Sequence, residues 1–163
     1  MSIEKTIICD AGPLITLEKL SDGFSFIRKL YNKIIIPPSV FNEINRKAIP
    51  PNLYTSILRE FIDISTPNNI VSLPSFKLHL GELEAISLAK ERNLALLIEE
   101  REGRAAAESI GVSISGIAGQ IIKATRLEII SQQEGLRKAE ELYNCKRINK
   151  NLFKALNKKL SDR

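Results

Sequence analysis

Apolar residues along this chain fall into short continuous runs and longer stretches spaced by three and four, and the two kinds alternate. Ile7-Ile8-Cys9, Lys33 to Ile36 and Ala95 to Ile98 are continuous runs of strand length, which predicts buried strands. Ile62 to Ile64 and Val112 to Ile114 predict two shorter strands, the first at a sheet edge. Helical spacing predicts helices from the Ala11-Gly12-Pro13 turn to Leu20, over Phe24 to Tyr31 and over residues 39 to 47, where Val40, Ile44 and Ala48 recur at intervals of four. A further helix is predicted from Pro50-Pro51 to Phe61, with Leu53, Ile57, Leu58 and Phe61 as its apolar face. The same pattern covers Leu80 to Arg92 with Asn93 as its stop, Gly103 to Ile110, Ile117 to Leu127, Gln132 to Leu142 and Asn149 to Leu160. Pro67, Asn68, Asn69, Ser72, Pro74 and Ser75 predict a loop over residues 66 to 76, the most mobile segment of the chain. Strand, helix, strand, helix is the order of an α/β fold with a parallel sheet. No internal repeat and no low-complexity segment interrupts it.

At 163 residues, 44% apolar and 26% charged, the chain has the composition of one globular domain with a self-sufficient core. No apolar run approaches the roughly 20 residues of a membrane span, and Met1 to Lys5 lead straight into the first strand, so a cytoplasmic protein without a membrane partner is expected. Cys9 and Cys145 have neither the number nor the spacing of a zinc site or disulfide framework, and Cys9 reads as a small core residue. His79 is the sole histidine, so histidine triads and histidine-rich metal sites have almost no material, and proton chemistry falls to carboxylates or metal-bound water. The net charge of +5 is concentrated: residues 137 to 163 hold nine Lys or Arg against three acids, which leaves −1 for the rest. A basic tail beside an acidic cluster suits a polyanion; a solvated helix face accounts for it equally well.

The acidic cluster is the candidate chemistry. Asp10 closes the first strand, Glu43 follows the second by a few residues, Glu82 lies in the first turn of a helix, and Glu99 and Glu100 follow the Ala95 to Ile98 run. In an open parallel sheet ligands gather outside the carboxyl ends of the strands, so these acids converge. Several carboxylates in one place call for a counter-charge, which points to a divalent metal and a metal-dependent hydrolase. Each acid also has a plainer reading. Asp10 is a good helix cap, and Glu43 alone would be an exposed helical charge. Glu82 and Glu84 are about 200° apart around the helix, so Glu82 is the ligand and Glu84 its alternative. Side chains alternate at a strand end, so one of the pair joins the cluster, Glu100 before Glu99. Arg101 and Arg104 flank that pair and would hold phosphate or orient a carboxylate.

Four segments carry a resemblance to a known family: residues 9–15 (CDAGPLI), 36–44 (IPPSVFNEI), 81–89 (GELEAISLA) and 97–104 (LIEEREGR). Taken in order they resemble the PIN domains, metal-dependent ribonucleases that include VapC-like toxins. The resemblance covers roughly residues 5 to 130. It implies a three-layer α/β/α sandwich with a central parallel sheet, with residues 1–130 as the nuclease domain. Residues 131–163 would then be a basic helical extension packing on that domain or on a partner subunit. By position Asp10, Glu43, Glu82 and Glu100 fall where the family's acidic ligands are expected, which implies Mg²⁺ or Mn²⁺, single-stranded RNA as substrate, a homodimer and a small antitoxin partner. The fourth motif departs from the pattern: such proteins carry an Asp at that strand end, and both candidates here are Glu, longer by about 1.5 Å. That length works against the near-ideal octahedron of Mg²⁺. A catalytically degenerate module binding RNA or protein is therefore the second expectation. A nucleotide-binding α/β domain is the third, disfavoured because no Gly-rich phosphate loop is present.

Overall fold

Single-residue alternation sets the layers of the molecule. The computed structural model describes residues 5–46 and 60–162. It places Ile7 and Cys9 of the first strand in one apolar cluster and Ile8 in another, and splits Ile34 and Ile36 from Ile35, and Leu97 from Leu96 and Ile98, in the same way. Strands with both faces buried are the signature of a parallel sheet covered on each side by helices.

The elements run β1 (Thr6–Cys9), α1 (Ala11–Lys19), α2 (Gly23–Leu30), β2 (Lys33–Ile36), α3 (Pro38–Arg46), β3 (Ile62–Ile64), α4 (Leu80–Arg92), β4 (Leu96–Leu97), α5 (Arg101–Ser109), β5 (Ile114–Ser115), α6 (Ile117–Arg126), α7 (Gln132–Asn144) and α8 (Lys150–Ser161). The five strands form one sheet in the order β3-β2-β1-β4-β5, every pair parallel, with β3 at the predicted edge. Sequential strands run outward from β1 to β3, and the chain then crosses to β4 on β1's other side. The carboxyl ends of β1 and β4 are therefore the topological switch point, where such sheets hold ligands. The result is a three-layer α/β/α sandwich with a central parallel sheet.

β4 is shorter than its apolar run and β5 shares only Ile114 with the predicted Val112 to Ile114 strand, yet bonding continues beyond them: the Ile8 N–H donates to the Ala95 carbonyl and that of Ile98 to the Ser115 carbonyl. The predicted helix from Pro50 lies outside the described residues apart from Glu60 and Phe61, which form a turn, and Ala48 lies outside them too. The loop over residues 66–76, expected to be mobile, is tied along α4. The Asn68 amide and side chain donate to Glu91 at 2.8 and 2.9 Å, and the Val71 amide donates to Ser87 Oγ at 3.0 Å. Val71, Leu73 and Phe76 pack on the second apolar cluster.

The core does not stop at residue 130. Ala139 and Leu142 of α7 and Leu156 and Leu160 of α8 are buried in the same cluster as β1, α1 and α2, while Leu152 stays exposed. The basic tail is partly consumed by this packing. Lys138 is buried, its Nζ donates to the Ser21 carbonyl at 2.9 Å, and it sits 5.3 Å from the Phe26 ring centroid. Glu141 on the same helix accepts from the Ser21 amide and hydroxyl. A bond from a charged donor and a ring contact are together worth about 2 kcal/mol, so Lys138→Ala should lower the melting temperature by roughly 4–8 °C. A thermal melt checks this; an unchanged midpoint would mean that the buried ammonium contributes nothing.

Candidate active site

Sheet order explains why Asp10 and Glu100 meet. The Asp10 amide donates to the Leu97 carbonyl at 2.9 Å, so the end of β1 is fastened to the end of β4 at the point where both chains turn into helices. Asp10 occupies the position preceding α1, yet its side chain makes no capping bond to that helix. Glu100 stands in the same relation to α5, and it too makes no capping bond. Glu82 lies in the first turn of α4, where its Oε2 accepts from the His79 amide at 3.3 Å. Three of the four acids therefore sit at helix amino termini, whose partial positive charge offsets some of the repulsion among them.

Close backbone approach brings the remaining elements in. A Cβ on Gly81 would lie 3.4 Å from Glu43 Oε2 and 3.3 Å from Val40 Cγ2, so a bare glycine lets the start of α4 rest against α3 and its glutamate. A Cβ on Gly103 would lie 2.6 Å from Ile98 Cδ1 and 3.7 Å from the Glu82 carboxyl carbon, which packs α5 against the same region. Beside Glu43 and Gly81 opens a cleft of about 870 Å³, lined also by Ser39, Asn42, Arg46 and His79.

Electrostatics mark these acids as one group. The Asp10 carboxyl is 4% exposed and its pKa is raised from 3.8 to about 7, first by loss of solvent, with the charges of Glu82, Glu43 and Glu100 adding to it; the neighbouring Ala11 amide opposes the rise. Glu82, buried as well, is also raised, again first by burial, with Glu100 and Glu43 contributing; the amide and ring of His79 pull the other way. Asp10 and Glu82 thus share Glu43 and Glu100 as charged neighbours. Among the described residues no three His, Cys, Asp or Glu side chains are drawn tightly enough to chelate a single ion. The donors nonetheless suit Mg²⁺ or Mn²⁺. All are hard oxygen ligands, and Asp10 is held at a pKa that a nearby cation would lower.

The other candidates are turned elsewhere. Glu84 accepts from the amide and hydroxyl of Ser39 and so fastens the start of α3 instead of facing the cluster. Glu99 is held by α1 and by the connection between α7 and α8. Its Oε1 accepts from Thr16 Oγ1 at 2.7 Å and from Arg147 Nη2 at 3.4 Å. Arg104 donates to the Ile98 carbonyl at 2.8 Å, which ties α5 to the strand it follows. Cys9 is fully buried, and burial pushes its thiol well above the ordinary value, with Asp10 and Glu99 adding to the rise; it is a core residue. Arg147 and Thr16 carry no local signal in the sequence, because their contacts span 131 residues.

A family model described as PIN domain matches residues 6–161. The chain belongs to the PIN-domain family. The match runs through α7 and α8 as well as the sheet. Among solved structures the PIN domain described above is similar to a PilT N-terminus domain protein from the hyperthermophilic archaeon Sulfolobus solfataricus P2. The two share 16% identity with a TM-score of 0.56, over 73% of this chain and 92% of that one. At that identity the likeness bears on the fold alone. No curated protein matches this PIN domain. Among the described residues no helix is long and apolar enough to cross a membrane.

Proposed function

We propose that this PIN domain is a metal-dependent endoribonuclease acting on single-stranded RNA. The observation that carries the reading is the electrostatic coupling of Asp10, Glu43, Glu82 and Glu100 at the β1/β4 switch point, with Asp10 raised to about 7. Those four residues would hold Mg²⁺ or Mn²⁺, and Glu99, engaged by Thr16 and Arg147, stands behind them. Such an ion, when bound, activates water and offsets the charge that develops on the phosphodiester. The chain's own part is to keep Asp10 shielded from bulk water and to hold Glu82 by the His79 amide. Exposed lysines of α8, among them Lys150, Lys154 and Lys158, supply sites for the RNA backbone. Lys138 and Arg147 are already engaged within the fold and are not counted among them.

With one histidine, exposed at the start of α4, the chain has no pair of histidines to serve as acid and base for attack by the RNA 2′-hydroxyl. In this reading water is the nucleophile. The test is incubation of a single-stranded RNA pool with purified protein in Mg²⁺, Mn²⁺ or EDTA, followed by analysis of product ends. Cutting with either metal, none in EDTA, and no 2′,3′-cyclic phosphate is the expected result. Cyclic ends, or cutting that persists in EDTA, would contradict the mechanism.

The reading extends to cytoplasmic action as a toxin, as a homodimer blocked by a small antitoxin; the motif resemblance supports these parts. One observation favours a second reading. Both residues after Ile98 are glutamates, and the described acids do not close on one point, which suits a catalytically degenerate PIN module that binds RNA or a protein.

A further inference from the structure

Arg147 lies in the connection between α7 and α8, far along the chain from every acid in the cluster, yet its guanidinium reaches the switch point. Its Nε donates to Thr16 Oγ1 at 2.8 Å, and its Nη2 donates to the Gly12 carbonyl at 3.2 Å and to Glu99 Oε1 at 3.4 Å. The Thr16 hydroxyl, fully buried, donates to Glu99 Oε1 at 2.7 Å, with the Gly12 carbonyl 3.1 Å away as its other acceptor. The three partners are not arbitrary. Gly12 is two residues after Asp10, Thr16 lies one turn further along α1, and Glu99 immediately precedes Glu100. One planar fork therefore joins the segment that carries Asp10 to the segment that carries Glu100, and occupies the adjacent carboxylate that would otherwise compete with Glu100.

We infer that Arg147 is the positioning residue of the carboxylate cluster: through Thr16 and Glu99 it sets the spacing and orientation of Asp10 and Glu100 for a divalent cation. This rests on the reading of the cluster as a metal centre. It gives the C-terminal helical hairpin a role in the site that its basic charge alone does not. Guanidinium geometry matters here, because an ammonium is a point charge that cannot span two carbonyl or carboxylate oxygens and a hydroxyl in one plane. Partners that orient metal ligands typically change metal affinity by about 10- to 100-fold when removed.

The test is Mn²⁺ calorimetry on the full chain, with thermal melts of the metal-free proteins, for wild type, Arg147→Gln, Arg147→Lys, Glu99→Gln and the Arg147→Gln/Glu99→Gln double variant. Arg147→Gln should weaken Mn²⁺ binding by about 10-fold or more, Arg147→Lys should restore only part of it, and the double variant should bind no worse than the weaker single variant. If folded Arg147→Gln binds Mn²⁺ as wild type does, even with a lowered melting temperature, the bond is a structural tie and the inference is overturned. Should Arg147→Gln not fold, Thr16→Val removes the shared hydroxyl without changing side-chain shape. Weakened Mn²⁺ binding is then the expected result, and wild-type binding overturns the inference. Wild-type protein that binds no Mn²⁺ would overturn the metal reading and this inference together, which separates the two failures.

Discussion

Asp10→Asn is expected to abolish metal-dependent RNA cleavage while leaving a folded and more stable protein. The substitution keeps shape and hydrogen-bonding capacity but removes the one charge that is both buried and pressed by three other acids. A residue placed on the metal itself should cost more than a supporting one, so a fall of at least about 100-fold in cleavage rate is expected, beyond the usual range for residues that only support ligands. Cleavage of a labelled oligonucleotide at fixed Mn²⁺, with circular dichroism to verify the fold, measures it. Undiminished cutting would remove Asp10 from the mechanism and leave it as a residue of the α1 turn.

The second large effect is on stability. With a pKa of about 7 in the folded chain against 3.8 for the free group, Asp10 keeps its proton between those values after the unfolded chain has lost it. The folded state then binds the extra proton, so its stability falls as pH rises through the window from about 4 to 7 and levels off above it. The full penalty at pH 8 is on the order of 4 kcal/mol. Without metal, Asp10→Asn should thus melt at the same temperature as wild type near pH 4 and roughly 8–16 °C above it at pH 8. Mn²⁺ should relieve the same penalty in wild type. At 100 times the dissociation constant it contributes ~2.7 kcal/mol, more above pH 7 than below because cation and proton compete for one carboxylate, and it should move Asp10→Asn little. Melts across pH with and without Mn²⁺ decide this; parallel wild-type and variant curves would mean that Asp10 ionises freely.

These effects trace to features that local sequence made legible in unequal degree. A polar residue straight after Ile-Ile-Cys can only stand at the mouth of a buried strand, and the 200° separation of Glu82 from Glu84 sends one toward the cluster and the other to Ser39. Strand alternation likewise predicts that one of Glu99 and Glu100 is turned away from the cluster. What sequence spacing does not carry is who receives the residue turned away. Arg147, Thr16 and Glu99 meet only because the α7–α8 hairpin folds back on α1, and in sequence the apolar stripe of the last helix, Leu152, Leu156 and Leu160, is equally consistent with docking on another subunit; Leu156 and Leu160 are buried and Leu152 is exposed. Residues 66–76 form the loop that their composition predicts. Their Pro, Asn and Ser content signals a loop, but the bonds that fasten it come from Ser87 and Glu91 on α4. The charge tally of the tail also says nothing of depth, and Lys138 sits inside.

The most direct measurement is anomalous diffraction from crystals grown with Mn²⁺. A manganese peak in contact with the Asp10 carboxylate and at least one of Glu43, Glu82 and Glu100, with Glu99 still held by Arg147, is the expected result. Crystals of protein that cuts RNA with Mn²⁺, yet show no peak at the β1/β4 switch point or show it elsewhere, would contradict the assignment of these four acids as the metal centre.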